Sequence, residues 1–184
     1  MFSSFKNLCS KFRRDQRGVA LTEFALVGPV LVALLIFSVN GFDAYRGLRK
    51  ASATVDMIGD LATRDVDFTA TDRDQYFAAA EAILDKYAVG NNVEMIISSV
   101  EQDADGNYIV LWSVANGNAT AHGAALPAEV ENDLPAIPVG ESIVVTELDF
   151  QFQPTFQDLW VGSITVDQFS ISRPRKVAQI TYVP

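Results

Sequence analysis

Cysteine is almost absent from this chain of 184 residues. The only one, Cys9, stands in a basic amino-terminal segment, so the residues beyond it can form no intramolecular disulfide. Lys6-Asn7-Leu8 precede it, where a lipoprotein box has small apolar residues after a hydrophobic core. The single histidine, His122, stands among Gly and Ala with no second His or Cys nearby, which reads as a solvated loop residue rather than a zinc ligand. There is no nucleophile elbow, P-loop, dinucleotide fingerprint or metal-ligand cluster, so neither an enzyme nor a cofactor or metal is expected. Two near-misses need naming. Asp103-Ala104-Asp105-Gly106-Asn107 looks like a calcium loop but lacks the spacing and the closing glutamate, and it reads as a hairpin turn. Asp167-Gln168-Phe169-Ser170-Ile171-Ser172 misses the D-x-S-x-S metal motif by one residue.

Positive charge is also scarce, with 14 Lys and Arg against 23 Asp and Glu. An acidic body lacks the positive field that displaces counterions from phosphate, which argues against nucleic-acid binding. The few cations are unevenly placed. Residues 1–18 carry a net of +4, which leaves −13 for the remainder of a chain whose total is −9. A basic flank before an apolar run, with an acidic body after it, predicts a cytoplasmic amino terminus and an exported remainder.

That apolar run spans Val19–Val39, 21 residues with Glu23 as the sole charge. At 1.5 Å rise it reaches about 32 Å, enough for a bilayer core of about 30 Å. A cleavable secretory signal is the rival reading, but its apolar region is shorter, about 7–15 residues, and Ser38-Val39-Asn40 makes a poor cleavage site. Gly28-Pro29 predicts a local kink or loosening of the helix. Ala44, Leu48, Ala51, Val55, Ile58 and Ala62 then continue a helical stripe, with charged residues on the other faces. A helical stem is therefore expected over residues 40–62, with its apolar stripe laid on a domain or on neighbouring subunits. Asn40-Gly41 is its expected weak point.

Residues 63–184 read as a domain. Thr63 to Ala70 is polar and breaks the helical pattern. Thr71 followed by Asp74 predicts a capping box, with Phe77, Ala80, Leu84 and Tyr87 sharing one helix face before Gly90-Asn91-Asn92 ends it. Val93 to Val100 and Tyr108 to Val114 read as strands, and Asn116 to Gly140 as an exposed loop. In Ser142 to Phe152, Leu148, Phe150 and Phe152 alternate with Asp149 and Gln151, which predicts a strand with one buried face. Ile164 to Ile171 and Val177 to Val183 are expected to complete the sheet. The fold class is α+β: a long transmembrane helix extending into a stem, packed with a second helix on an antiparallel sheet of four or five strands.

A carboxylate at the centre of a membrane helix costs about 2.5–3.5 kcal/mol or more, so Glu23 calls for a reason. Arg17-Gly18-Val19-Ala20-Leu21-Thr22-Glu23-Phe24, preceded by Lys11, Arg13 and Arg14, resembles the processing site of prepilins. In detail it is similar to that of the TadE-like minor pilins, or pseudopilins, of tight-adherence (Tad/Flp, type IV) pili. The likeness covers residues 13–40 and returns over 150–182, in Pro154, Gly162-Ser163-Ile164, Arg173-Pro174-Arg175 and Ile180-Thr181-Tyr182. It implies that a membrane-embedded prepilin peptidase removes residues 1–18 by cutting between Gly18 and Val19. Glu23 then becomes the fifth residue of the mature protein, followed by the aromatic Phe24. The basic leader residues Lys11, Arg13, Arg14 and Arg17 hold the scissile bond at the anionic inner surface, and Gly18 lets the backbone extend into the peptidase.

The resemblance implies a protein of the inner membrane with a periplasmic carboxy-terminal domain, which reaches the pilus or cell surface after assembly. Its partners would be the prepilin peptidase, other pilins met through the amino-terminal helix, membrane lipid and the pilus assembly platform. Two alternatives stay open. One is a single-pass receptor or binding module with an uncleaved signal anchor, marked by a convergent polar cluster near a pocket. The other is a pseudopilin of general secretion, whose soluble domain fits this tail less well.

Overall fold

In the computed structural model, residues 18–159 and 164–184 are described. Helix α1 covers Val19–Ala62, and Pro29 lies inside it. The chain divides into two compact units, one ending at Gly41 and the other Phe42–Pro184.

In the first unit the helix carries a run of exposed apolar side chains. Leu21, Phe24, Leu26, Leu35 and Phe37 are all exposed, and the most apolar window of the helix has none of its residues buried. The segment has the length and composition of a membrane span. Pro29 lies within the assigned helix, where the sequence predicts a kink.

In the second unit α1 forms one wall of an α+β core. Ala51, Val55, Ile58 and Ala62 are almost wholly buried, as their periodicity predicts. Leu48 departs from the stripe and stays 43% exposed. Strand β1 (Asp67–Thr69) leads into helix α2 (Ala70–Leu84). The helix starts two residues earlier than the sequence suggests. Thr69 is the cap, its hydroxyl accepting from the Asp72 N–H at 3.2 Å while Asp72 accepts from the Thr69 N–H at 3.0 Å. Thr71 and Asp74 have the same i, i+3 spacing but lie inside the helix. Phe77, Ala80 and Leu84 form its buried face.

The helix also ends earlier than predicted. Gly90-Asn91-Asn92 does not terminate it but forms an irregularity in strand β2 (Ala88–Gln102), with Gly90 at φ +62°. Tyr87 is buried just ahead of that strand. A turn over Asp103–Asn107 joins β2 to β3 (Tyr108–Ala115), as expected of a hairpin. The Asp103 carboxylate accepts from the N–H groups of Asp105 and Asn107, at 2.9 and 2.8 Å, and Gly106 supplies the positive φ. These bonds, the Asn107 side chain's first, hold the Asp103 carboxyl below its ordinary pKa.

Strand β4 (Ser142–Phe152) pairs antiparallel with β2 and with β5 (Ile164–Ser172), giving a sheet ordered β3-β2-β4-β5. Strand β6 (Thr181–Val183) does not join it. It pairs in parallel with β1 in a separate two-stranded sheet, and of the strand expected over Val177 to Val183 only its last three residues are extended and paired. Phe68 of β1 explains the choice. It is buried between Tyr182 and Trp112, stacked on the indole at 5.2 Å, and Trp112 Nε1 donates to the Ile180 carbonyl at 2.7 Å.

The two faces of the four-stranded sheet differ. Leu148, Phe150 and Phe152 join the core shared with α1 and α2, while Asp149 and Gln151 are exposed, as the alternation predicts. Residues 142–146 are buried on both faces. The reason lies in 116–140, which is not the wholly exposed loop its composition suggests. It contains a short helix, α3 (Ala128–Glu131), and Leu126, Val130, Leu134 and Ile137 cover Val100, Ile143 and Val145 from the side away from α1.

Candidate functional site

The sequence places its candidate site at the start of α1, and the geometry there is simple. The Gly18 carbonyl accepts from the Thr22 N–H at 3.1 Å, and the Val19 carbonyl accepts from the Thr22 hydroxyl at 2.8 Å. Val19 is therefore in the first helical turn, and Glu23 stands four residues on, on the same helix face. Val19, Glu23 and Phe24 are all exposed. No cation of the described residues lies within ion-pair distance of Glu23. The Phe24 ring lies along the helix beside Gly28, 3.6 Å from where a Cβ would stand. A Cβ on Gly18 would meet nothing within 4 Å, and Gly18 is not at positive φ. The described residues thus set no steric demand for glycine at 18. Lys11, Arg13, Arg14 and Arg17 lie outside the described residues, as do Gly162 and Ser163 of the tail.

The remaining tail positions have structural work. Arg175 pairs with Asp60 of α1, and its N–H donates to the Thr63 carbonyl, which ties the segment after β5 to the end of that helix. Lys176 Nζ lies 2.8 Å from Asp65 and lowers the pKa of that carboxyl.

A second constellation lies on the sheet face away from α1, and the sequence reading missed it. His122 is not a solvated loop residue. Its Nε2 lies 2.6 Å from Glu147 Oε1, with the two side chains only 11% and 17% exposed. Its N–H donates to Ser113 Oγ at 3.0 Å. Next to this pair the strand register lines up three carboxylates, Glu94, Asp149 and Asp167, on neighbouring strands. They share a shallow depression with Asn118, Thr120 and Glu147. Burial, then Asp167 and Glu94, raise the pKa of Asp149. Cross-strand register was the available signal, but it cannot be read until strand pairing is known. Among the described residues no group of three or more His, Cys, Asp or Glu is arranged to hold a metal ion. Ser170, of the near-miss motif, donates to Asp56 of α1 at 2.7 Å.

No family model, no curated protein and no solved structure matches this chain.

Proposed function

We propose that this chain is the precursor of a TadE-like minor pilin or pseudopilin, cut after Gly18 by a prepilin peptidase. Residues 19–39 then hold it in the inner membrane with its globular unit outside, where it serves the assembly, priming or tip of a Tad/Flp-type pilus. It acts as a building block rather than a catalyst.

The arrangement at the start of α1 carries this reading. Glu23 is the only charge from Val19 to Val39, on a helix segment whose apolar side chains are exposed among the described residues. Cleavage after Gly18 would create an ammonium at Val19, one turn from Glu23, about 6 Å along the axis. Each charge alone is costly in hydrocarbon, and pairing them, within one chain or with a neighbouring subunit, offsets much of that cost. Gly18 fits the same account, since it meets no steric demand of the described residues and would answer to the peptidase instead.

The test is amino-terminal sequencing of the membrane-extracted protein. The expected terminus is Val19, and Gly18→Leu should leave the precursor uncut. A terminus at Met1, or one near Gly41, would reject the pilin reading. Met1 would favour a single-pass binding module, the reading to which the acidic depression around Asp149 lends support.

A further inference from the structure

We propose that the end of the globular unit carrying Phe42 and Tyr45 is itself a lipid-contacting surface. Tyr45 and Leu159 sit in the interfacial layer of the bilayer, and the side chains of Arg46, Arg49 and Lys86 reach back to headgroup phosphates. The inference rests on residues 19–39 being a membrane helix, as proposed above.

Three observations meet here. The first is placement. The Asp43 carboxylate, in the first turn of α1 within this unit, accepts from the Thr155 hydroxyl, which fixes the segment after β4 beside that turn. Asp43 and Thr155 share a depression with Lys86, Tyr87 and Pro154. Asp43 is four residues past Val39, about 6 Å along a helix. The headgroup layer is about 5–8 Å deep on each side of the hydrocarbon. A segment tied to Asp43 therefore falls at headgroup depth.

The second is exposed apolar surface at this end. Phe42 is 60% exposed, Tyr45 57% and Leu159 62%, with Phe156 at 41%. Aromatic residues with an apolar body, and a polar tip in Tyr45, are what a membrane interface favours.

The third is unspent positive charge. Among the described residues Arg73, Arg175 and Lys176 are ion-paired, whereas Arg64 and Arg173 are not, and neither are Arg46, Arg49, Lys50 and Lys86 at this end. All four are exposed, against Asp85 and Asp158 as the exposed acids beside them, in a protein that is strongly acidic elsewhere. Side chains on a helix slant toward its amino terminus. Arg46 follows that slant and lays its guanidinium 5.7 Å from the Phe42 ring centroid, on the amino-terminal side of its own position.

Spin-label depth measurements test this on the full chain in a Cys9→Ser background, one molecule per lipid nanodisc containing phosphatidylglycerol and phosphatidylcholine. Labels go on Leu31→Cys, Tyr45→Cys, Leu159→Cys and Val139→Cys. Position 31 should favour oxygen, and 139 should be open to a water-soluble nickel chelate. Positions 45 and 159 should be several-fold less open to nickel than 139. Replacing Arg46, Arg49 and Lys86 by Gln should reduce that shielding in discs with phosphatidylglycerol. If 159 is as open to nickel as 139 while 31 stays in hydrocarbon, the lipid surface is wrong and the membrane helix stands. If 31 is also open to nickel, both are wrong. Shielding at 159 that arises only with several chains per disc, together with spin–spin broadening, would assign the surface to a second copy and overturn the proposal. Shielding that is unchanged in the triple Gln variant would overturn the headgroup contact.

Discussion

Gly59 of α1 faces Ser172 of β5 so closely that a Cβ on Gly59 would stand 2.7 Å from Ser172 Oγ and 3.3 Å from Thr146 Oγ1. Glycine here is a packing choice that lets the helix lie directly on β4 and β5. Gly59→Ala gains about 1 kcal/mol of helix propensity, but overpacking costs about 1–3 kcal/mol. The variant should be less stable by up to about 2 kcal/mol, and Ser172→Ala in the same chain should recover part of the loss. Denaturant melts of the four proteins in the double-mutant cycle measure this. Gly59→Ala more stable than the parent, or no recovery with Ser172→Ala, contradicts the close contact.

The His122–Glu147 contact makes a different prediction. His122 fastens the loop before α3 to the outer face of the sheet, helped by the Ala124 carbonyl, which accepts from the Val110 N–H at 3.2 Å. His122→Ala leaves a mostly buried carboxylate short of a partner, which costs about 1–3 kcal/mol. Hydrogen exchange and limited proteolysis should speed up between Asn116 and Ala125 and leave β2 and β4 largely protected. Unchanged exchange in that loop would mean the contact does not hold it.

Asp149 should give the unit an acid-side gain in stability. Its pKa is raised by burial and by the neighbouring Asp167 and Glu94, so the folded state binds its proton more tightly than the unfolded chain does. The strain of the charged form is fully present above the folded pKa. It is relieved as pH falls through that value toward the ordinary carboxylate range. Asp149→Asn should therefore raise the melting temperature modestly at pH 7, since the residue remains solvent-accessible. The difference from the parent should vanish in acid. A variant advantage that persists below the ordinary carboxylate range would point to another cause.

What the sequence made legible was whatever depends on local period. The buried stripe from Ala51 to Ala62 follows from 3.6-residue spacing, and the inward Leu148, Phe150 and Phe152 follow from alternation. What depends on distant partners was hidden. Ser142 to Thr146 is buried on both faces because Leu126, Val130, Leu134 and Ile137 fold over one of them, and their Gly- and Pro-rich surroundings read as a loop. Strand β6 pairs with β1 because Phe68, Trp112 and Tyr182 cluster, which no window around Thr181 reveals. The capping box was recognised by type but assigned to Thr71 and Asp74, because two overlapping i, i+3 pairs compete within six residues and only the backbone shows which one caps. At the candidate site, Gly18 and Glu23 stand out by their spacing along the chain alone, and the processing chemistry proposed for them rests on that spacing. The acidic row of Glu94, Asp149 and Asp167 needed the register of three strands.

If the chain is a prepilin, as proposed, Glu23 should separate maturation from assembly. On that proposal cleavage reads the glycine and its basic flank, whereas the carboxylate matters once Val19 carries a free amine among packed helices. Glu23→Ala should insert into the membrane and be processed largely as the parent is. Glu23 belongs to the unit that ends at Gly41, so the melting behaviour of the globular unit Phe42–Pro184 should not change. The unpaired Val19 ammonium would then cost several kcal/mol in a low-dielectric bundle, and each 1.4 kcal/mol weakens association about tenfold. The variant should fail to co-purify with partner pilins and yield few or no pili. Glu23→Asp, shorter by one methylene, should restore part of the yield, and Glu23→Gln little, because the amide carries no charge to pair. Terminal-peptide mass spectrometry reads processing and a shear assay reads piliation. Normal piliation by Glu23→Ala would make the carboxylate a tolerated interfacial residue, and the pairing mechanism would be wrong.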